Sequence, residues 1–505
     1  MSKYKPTIGL EIHAELKTRT KMFCDCLNDA EEKHPNVNVC PICTGHPGTL
    51  PVINKKAVES VIKVGMALNG DIPQFSKFDR KNYFYPDLPK AYQISQYDLP
   101  LIFGGILHGI RLRRIHLEED TGRLSHELRI TNDELREEKA EKHNSKFVIH
   151  NSSYVDFNRS SVPLMELVTE PDIKNAEQAV EFARELQLIL RYLGVSDADM
   201  EKGQMRVEAN VSISADDNLG TKVEVKNINS FKAVHDAINY EIKRQEEVLS
   251  AGKKVSQETR GWDDANKKTV SQRSKEEAHD YRYFPEPDLP PLDLSGFDLK
   301  AIKTDIPELP HMKRQRFAKE YGLTPEQAEA LVIDREMARF FEETASELVE
   351  EIGAGDAGAS VARATTLTSL AFNYLNSDLR GLMGERGWGW DELKVDPENF
   401  ADLVVLVANK EVSSRAAKDI LVKMAETGLD PRAIMKQEGL AQVSDEGSLQ
   451  PIVDKIISEN PKAIEDYRKG KMAAVQFLVG RAMGILKGAG NPEVLRKLFE
   501  TTLGK

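Results

Sequence analysis

The chain has 505 residues, 40% of them apolar and 30% charged, with a formal net charge of −12. Its length exceeds what one hydrophobic core organises and predicts about three domains, while its ordinary composition excludes a fibrous or disordered protein. No apolar run approaches the roughly 18 residues that span a bilayer, and Met1 to His13 holds no signal core, so the sequence predicts a cytoplasmic protein without a membrane segment.

The acidic balance repels a polyanion at long range, so any nucleic-acid contact must come from local basic patches. In chain order, the first element is a strand over Gly9 to Leu16. It sets Leu10, Ile12, Ala14 and Leu16 on one face and Glu11, His13 and Glu15 on the other. An acid and an imidazole two residues apart can reach one ion; a solvated strand face is the plainer reading. All four cysteines follow, as Cys24-x-Cys26 and Cys40-Pro-Ile-Cys43. Two close pairs can supply a tetrahedral thiolate set, and four sulfur ligands leave no open position, so the spacing predicts a structural zinc over loop 24–43. Buried free thiols or a redox pair are the alternatives. A helix is predicted from Asn54 to Leu68, ended before Gly70. The stretch Lys77 to Tyr92 is dense in aromatics and cations, as a surface that stacks a base or a tRNA end would be, and as core tyrosines would be too.

Arg114 to Asp120 sets Glu119 in phase with Ile115 and Leu117, on the apolar side, where a lone charge is costly. Thr131 to Lys146, rich in Glu and Lys, reads as a solvated insertion. Pro163-Leu-Met-Glu-Leu-Val168 buries Glu166 in the apolar run of a strand covered on both faces. Acids in apolar phase call for a counter-charge: Mg²⁺, which binds oxygen ligands and keeps waters that phosphates displace, or else a paired Arg or Lys. No Walker-type or kinase-type Gly-rich loop is present, so a nucleotide would be held through metal-bridged phosphates and scattered side chains. Arg80, Lys81, Tyr83, Arg206 and Lys226 are the candidates. A helix over Glu177 to Leu193 and a hairpin from Met205–Ser214 to Thr221–Lys226 complete an α+β, antiparallel pattern. Tyr281 to Leu292, with four prolines, reads as an extended connector.

Beyond Ile306 the chain reads as helices. Thr324-Pro-Glu-Gln327 forms a capping box, Asp396-Pro-Glu opens a further helix, and Ser414 opens one that Gly428 ends. Two helical units are predicted, joined near residue 436. Residues 461–505 carry nine Lys and Arg against four Asp and Glu, a basic segment in an acidic chain and equally an ordinary solvated surface.

Ile8-Gly-Leu-Glu-Ile-His-Ala-Glu-Leu16, Lys77 to Asp87, Ala91-Tyr-Gln-Ile-Ser-Gln96, Leu117-Glu-Glu-Asp120, Lys226-Asn-Ile-Asn-Ser-Phe231 and Asp280 to Asp288 together resemble the B subunit of bacterial aspartyl/glutamyl-tRNA amidotransferases. The motifs run in the family's order, and the helical C-terminal third also looks like the family's helical and tail domains, so the resemblance spans essentially the whole chain. The resemblance implies a cradle domain similar to glutamine synthetase over 1–295, a helical domain over 296–436 and a tRNA-gripping tail over 437–505. It implies ATP-dependent phosphorylation of the side-chain carboxyl of Glu-tRNA(Gln) or Asp-tRNA(Asn), then transamidation with ammonia. Glu11, His13, Glu119 and Glu166 take the family's metal and active-site positions, with Mg²⁺ and ATP as cofactors and zinc on Cys24, Cys26, Cys40 and Cys43. The chain lacks an amidase Gly-Ser-Ser-Gly stretch, so ammonia must come from a partner, in the family the amidase A subunit, with a small C subunit tying the pair. Two other readings are a non-catalytic zinc-stabilised tRNA-binding scaffold, which would gain nothing from burying acids, and a metal-dependent hydrolase, which would turn over without tRNA.

Overall fold

The computed structural model describes residues 3–29, 31–132, 147–274, 281–352, 357–443, 445–469, 471–486 and 489–504. Residues 133–146 of the expected insertion lie outside the described residues. The chain forms two units, Met1–Pro310 and His311–Lys505.

The first unit is built on strands β1 (Lys5–Glu15), β2 (Phe75–Ser76), β3 (Asp79–Asn82), β4 (Tyr92–Ser95), β5 (Ile102–Phe103), β6 (Ile106–Leu107) and β7 (Ile110–Glu119). It continues with β8 (Arg123–Asn132), β9 (Phe147–Asp156), β10 (Pro163–Thr169), β11 (Met205–Ser214), β12 (Val223–Ile228), β13 (Glu258–Asp263) and β14 (Lys268–Ser274). One large sheet runs β14-β13-β12-β11-β1-β10-β7-β5, with β6 also on β7, while β8 and β9 pair separately as a hairpin. The pairing is antiparallel except between β12 and β13, which run parallel. A helix over Phe231–Ser250 joins β12 to β13, which is what allows that one pair to run the same way.

Strand β1 alternates as its sequence dictates: Ile8, Leu10, Ile12 and Ala14 are fully buried, with Glu11, His13 and Glu15 on the other face. The apolar face packs under three helices. Helix α1 (Lys55–Ala67) starts where the Asn54 side chain accepts from the N–H groups of Lys56 and Ala57. Helix α2 (Ala176–Tyr192) is capped by Asn175, and α3 (Phe231–Ser250) by Ser230. Val58 and Val61 of α1, Phe182 and Leu186 of α2, and Val234 and Ile238 of α3 share one core with the sheet.

Strand β7 carries a register shift opposite Val168 and Thr169 of β10. Ile110 and Leu112 face the core before it, and Ile115 and Leu117 after it. A bulge swaps the two faces of a strand, so Arg114, His116 and Glu118 all point away from the helices.

After β14, Phe284–Pro285 (β15) adds two residues to the edge of β3, and Leu292–Asp293 (β16) pairs with β2. Prolines lack the N–H that a central strand needs, so the connector stays extended at sheet edges. Helix α4 (Leu299–Thr304) closes the unit.

The second unit is helical: α5 (Pro310–Tyr321), α6 (Pro325–Ile333), α7 (Arg335–Ile352), α8 (Ala357–Asn373), α9 (Arg380–Arg386), α10 (Pro397–Ala408), α11 (Ser414–Thr427) and α12 (Pro431–Glu438). It ends with α13 (Glu446–Glu459), α14 (Pro461–Arg468), α15 (Ala473–Ile485) and α16 (Pro492–Leu503). Thr324 and Gln327 make the reciprocal capping box at α6, and Gly428 ends α11 in the left-handed conformation. Leu449, Leu478, Leu495 and Phe499 form a separate apolar cluster of α13, α15 and α16. Among the described residues, no helix is long and apolar enough to cross a membrane.

Candidate active site and metal centre

Antiparallel register decides which polar residues meet. His13 of β1 lies opposite Arg206 of β11 on one side and opposite Glu166 of β10 on the other, and Glu166 lies opposite His116 of β7. Residues directly opposite share a face, so four strands deliver one row of polar side chains to the side of the sheet away from the helices. Glu11 and Glu208 form the next row, and Glu118 lies two residues beyond His116.

The row is a compact titratable cluster. His13 Nε2 is 3.3 Å from Glu166 Oε2, 3.6 Å from Glu118 Oε1 and 3.8 Å from Glu11 Oε1. His116 Nε2 reaches the same Glu166 oxygen at 3.3 Å, and Arg114 approaches the other oxygen at 3.6 Å. Burial and the neighbouring Glu166 push the Glu11 carboxyl up to about 7. Burial opposes charge on His13, yet its hydrogen bond to Glu166 and the fields of Glu166, Glu118 and Glu11 push it up to about 9. Glu166, although buried, is held well below the usual carboxylate range by His116 and His13. Three carboxylates around one imidazole nitrogen make a site that wants a cation. Ligand atoms of Glu11, His13 and Glu166 lie within 4.8 Å of one another, as do those of His116, Glu118 and Glu166.

A cavity of about 310 Å³ opens over this cluster, with Lys81, Tyr83, Arg206 and Lys226 in its walls. Arg206 contacts both oxygens of Asp120 at 3.1 Å. Despite burial, Arg206 and Arg159 hold the Asp120 carboxyl down at about 2. Lys226 Nζ lies 2.8 Å from Glu208 and 3.6 Å from Glu224. Lys81 stands over the Tyr281 ring, and its pKa is raised against burial by Glu118, Tyr283 and Glu166. A larger cavity of about 550 Å³ lies in the second unit around Pro461, Lys462 and Phe477, but no imidazole or thiol lines it. The titratable cluster lies under the smaller one.

Two residues singled out from the sequence are placed elsewhere. Glu119 keeps the phase of Ile115 and Leu117, and that phase is the core side, not the cavity side. Its carboxylate is met by Lys90 Nζ at 2.5 Å and accepts from the Ile94 N–H at 2.9 Å. The counter-charge for this buried acid is therefore a lysine, and Glu118 is the acid that faces the cluster. Arg80 donates two 2.7 Å bonds to Glu286, whose side chain is wholly buried, and stacks on Tyr92. It pins the proline-rich connector to β3 rather than lining the cavity. Glu11, His13 and Glu166 do come together, and His116, Glu118, Asp120 and Glu208 join them without having been singled out. A signal for two of these was present: His116-Leu-Glu118 repeats, in reverse, the acid and imidazole spacing of Glu11-Ile-His13.

The four cysteines converge as well. All are free thiols, and their Sγ atoms lie within 4.8 Å of one another. Cys40 and Cys43 Sγ are 3.9 Å apart, and the Cys40 N–H donates to Cys43 Sγ at 3.1 Å. The group is able to bind a metal ion.

Residues 6–298 match the family described as the GatB/GatE catalytic domain, and residues 359–503 match the family described as the GatB domain. The chain is 46% identical over 510 residues to the B subunit of the aspartyl/glutamyl-tRNA(Asn/Gln) amidotransferase of Thermomicrobium roseum, covering 99% of each. It is 43% identical over 517 residues to the protein of that name from Carboxydothermus hydrogenoformans, covering 100% of both chains. With the one from Dehalococcoides mccartyi it shares 44% over 515 residues, 100% of this chain and 99% of the relative. A cluster of acids and imidazoles under a cation-lined cavity, on a chain alike from end to end, leaves one assignment: the protein belongs to the family of aspartyl/glutamyl-tRNA(Asn/Gln) amidotransferase B subunits.

Proposed function

We propose that this chain uses ATP to phosphorylate the side-chain carboxyl of Glu-tRNA(Gln), Asp-tRNA(Asn) or both, and then transfers ammonia to the activated carbonyl. The observation that carries the reading is the convergence of Glu11, His13, Glu118 and Glu166 beneath a cavity walled by Lys81, Arg206 and Lys226.

The donor set fits a hard divalent cation. Three carboxylates surround the His13 nitrogen at 3.3–3.8 Å, which concentrates oxygen donors and negative charge at one point. Glu11, His13, Glu118 and Glu166 would hold Mg²⁺, which supplies charge neutralisation for phosphate oxygens during transfer. The protein's own groups do the rest. Lys81 and Lys226 bring positive charge to the transferring phosphoryl group, and Asp120 fixes the guanidinium of Arg206 toward the same space. Tyr83 and Tyr281, edge to face at 5.9 Å, offer a wall against which the acceptor end can rest. In the reaction, a substrate carboxylate oxygen attacks the γ-phosphorus and ADP leaves; ammonia then attacks the acyl carbon and phosphate leaves.

The four cysteines would hold a structural zinc: tetrahedral Zn–S bonds of about 2.3 Å set sulfur atoms roughly 3.8 Å apart, close to the 3.9 Å between Cys40 and Cys43. With every cysteine in that cluster, no thiol remains to release ammonia from glutamine. A partner amidase, the A subunit of the family's complexes, would supply it, and a small third chain, the C subunit, would complete the assembly. Domains over 1–295, 296–436 and 437–505 would divide the work into catalysis, support and tRNA grip, the last through the basic surface of 461–505.

The test is the chain with its amidase partner, γ-labelled ATP and mischarged tRNA, scored for label on the aminoacyl group. Transfer that needs both tRNA and the divalent ion is expected. Absence of any tRNA-dependent transfer would overturn the proposal in favour of a scaffold, and turnover by the isolated chain without tRNA would point to a hydrolase.

A further inference from the structure

Lys21 has no exposed surface, an unusual condition for a lysine. Its ammonium donates to the Phe157 carbonyl oxygen at 3.2 Å and lies 3.7 Å from Cys43 Sγ. The backbone pins it there: its N–H donates to the Cys26 carbonyl at 3.0 Å, and its carbonyl accepts from the Asn54 side chain at 3.1 Å. No carboxylate among the described residues lies within ion-pair distance of it. A buried ammonium with one carbonyl and neutral thiols for company would be strongly disfavoured. Four thiolates around a divalent ion carry a surplus of two negative charges, which is the counter-charge this lysine lacks.

We propose that Lys21 is the buried counter-cation of the four-cysteine centre, a positioning residue that holds the Cys43 sulfur in place and slows release of the metal. The inference rests on the zinc reading above and deepens it. It accounts for a cation at a place where packing alone would favour an apolar side chain. It also accounts for the division of labour at Cys43, whose sulfur meets the Cys40 N–H on one side and the Lys21 ammonium on another. Such outer contacts to a metal ligand spread its negative charge and fix its orientation.

The experiment uses the full-length chain, wild type and with Lys21→Gln, Lys21→Met or Lys21→Arg. Zinc content is measured first, then the rate and equilibrium of zinc transfer to a chromogenic chelator. In the cobalt-substituted proteins the sulfur-to-cobalt charge-transfer band is recorded alongside. Lys21→Gln keeps a donor for the Phe157 carbonyl and removes the charge, so it isolates the effect. The expected results are one zinc in wild type, weakening by roughly ten- to a hundredfold in Lys21→Gln, a shifted cobalt band in that variant, and near-wild-type retention in Lys21→Arg. Zinc bound with unchanged affinity in Lys21→Gln overturns the inference and leaves the zinc reading intact. A wild-type chain that neither holds nor takes up zinc overturns both. Should the neutral variants fail to fold, Lys21→Arg decides: folding with zinc retained supports the counter-charge, and failure of this variant as well shows that the site needs lysine's shape, which refutes it.

Discussion

Adjacent acids on β7 are expected to fail in opposite ways. Glu118 faces the cluster, 3.6 Å from His13 Nε2, and accepts from Ser95 Oγ at 3.1 Å. Glutamine in its place keeps an acceptor for Ser95 and removes one negative charge from a region crowded with them, so Glu118→Gln should leave stability within about 1 kcal/mol. Under the proposed function it withdraws a metal ligand and a charge from the transfer site, which should slow acyl-phosphate formation at least ~100-fold, about 2.7 kcal/mol of barrier. Glu119→Gln leaves the Lys90 ammonium, whose side chain is only 11% exposed, without its 2.5 Å partner. Breaking a buried pair from one side costs about 3–5 kcal/mol, and the slight exposure of Lys90 places this case toward the lower end. The double variant Glu119→Gln/Lys90→Met should regain most of that loss, because no unpaired charge remains. Urea unfolding followed by tryptophan fluorescence reads the stability arm, and single-turnover phosphoryl transfer reads the chemical arm. Equal stability of Glu119→Gln and wild type, or full transfer by Glu118→Gln, would refute the assignment of faces.

Asp120 gives a pH signature. Its folded value near 2 lies below the ordinary 3.8, so the stability it contributes is fully present above about pH 4 and is lost as pH falls through 2. Asp120→Asn should flatten the acid limb of a stability–pH curve by roughly 2–3 kcal/mol; an unchanged limb would contradict the Arg206 pairing. Arg80→Ala strips a buried Glu286 of both 2.7 Å bonds and should destabilise the first unit by about 3 kcal/mol with little effect on the KM for ATP, and a large KM effect without loss of stability would reverse that reading. In the tail, Lys462 and Arg481 are exposed, and reversing either to Glu should weaken tRNA binding. A salt titration should lower the slope of log affinity against log salt by about 0.7–0.9 for each phosphate no longer neutralised; an unaltered slope would remove that residue from the interface.

Much of this architecture can be read in the chain, and the failures have local causes. The alternation of β1 places Glu11 and His13 on a common face without any tertiary information, and Asn54, Thr324 and Gly428 mark helix ends through their own side-chain or backbone chemistry. The phase of Glu119 was legible but its role was not, because β7 is buried on both sides after its bulge. Periodicity then separates the two acids into different faces but does not say which face carries the cavity; the register of β10 does. Arg80 sits in a basic, aromatic stretch that looks like a ligand surface, yet its partner Glu286 lies 206 positions away. The parallel pairing of β12 with β13 was likewise hidden, since a strand of six residues carries no mark of its direction.

Glu166 accepts from imidazoles on both flanking strands through a single oxygen. That shared atom makes the cluster a built-in test of alignment. Sliding β10 by one position would turn Met165 or Leu167 toward the two histidines and carry the carboxylate to the helix side. A misassembled sheet could therefore be compact and well paired and still be chemically silent, so reactivity appears only once all three central strands are correctly in step.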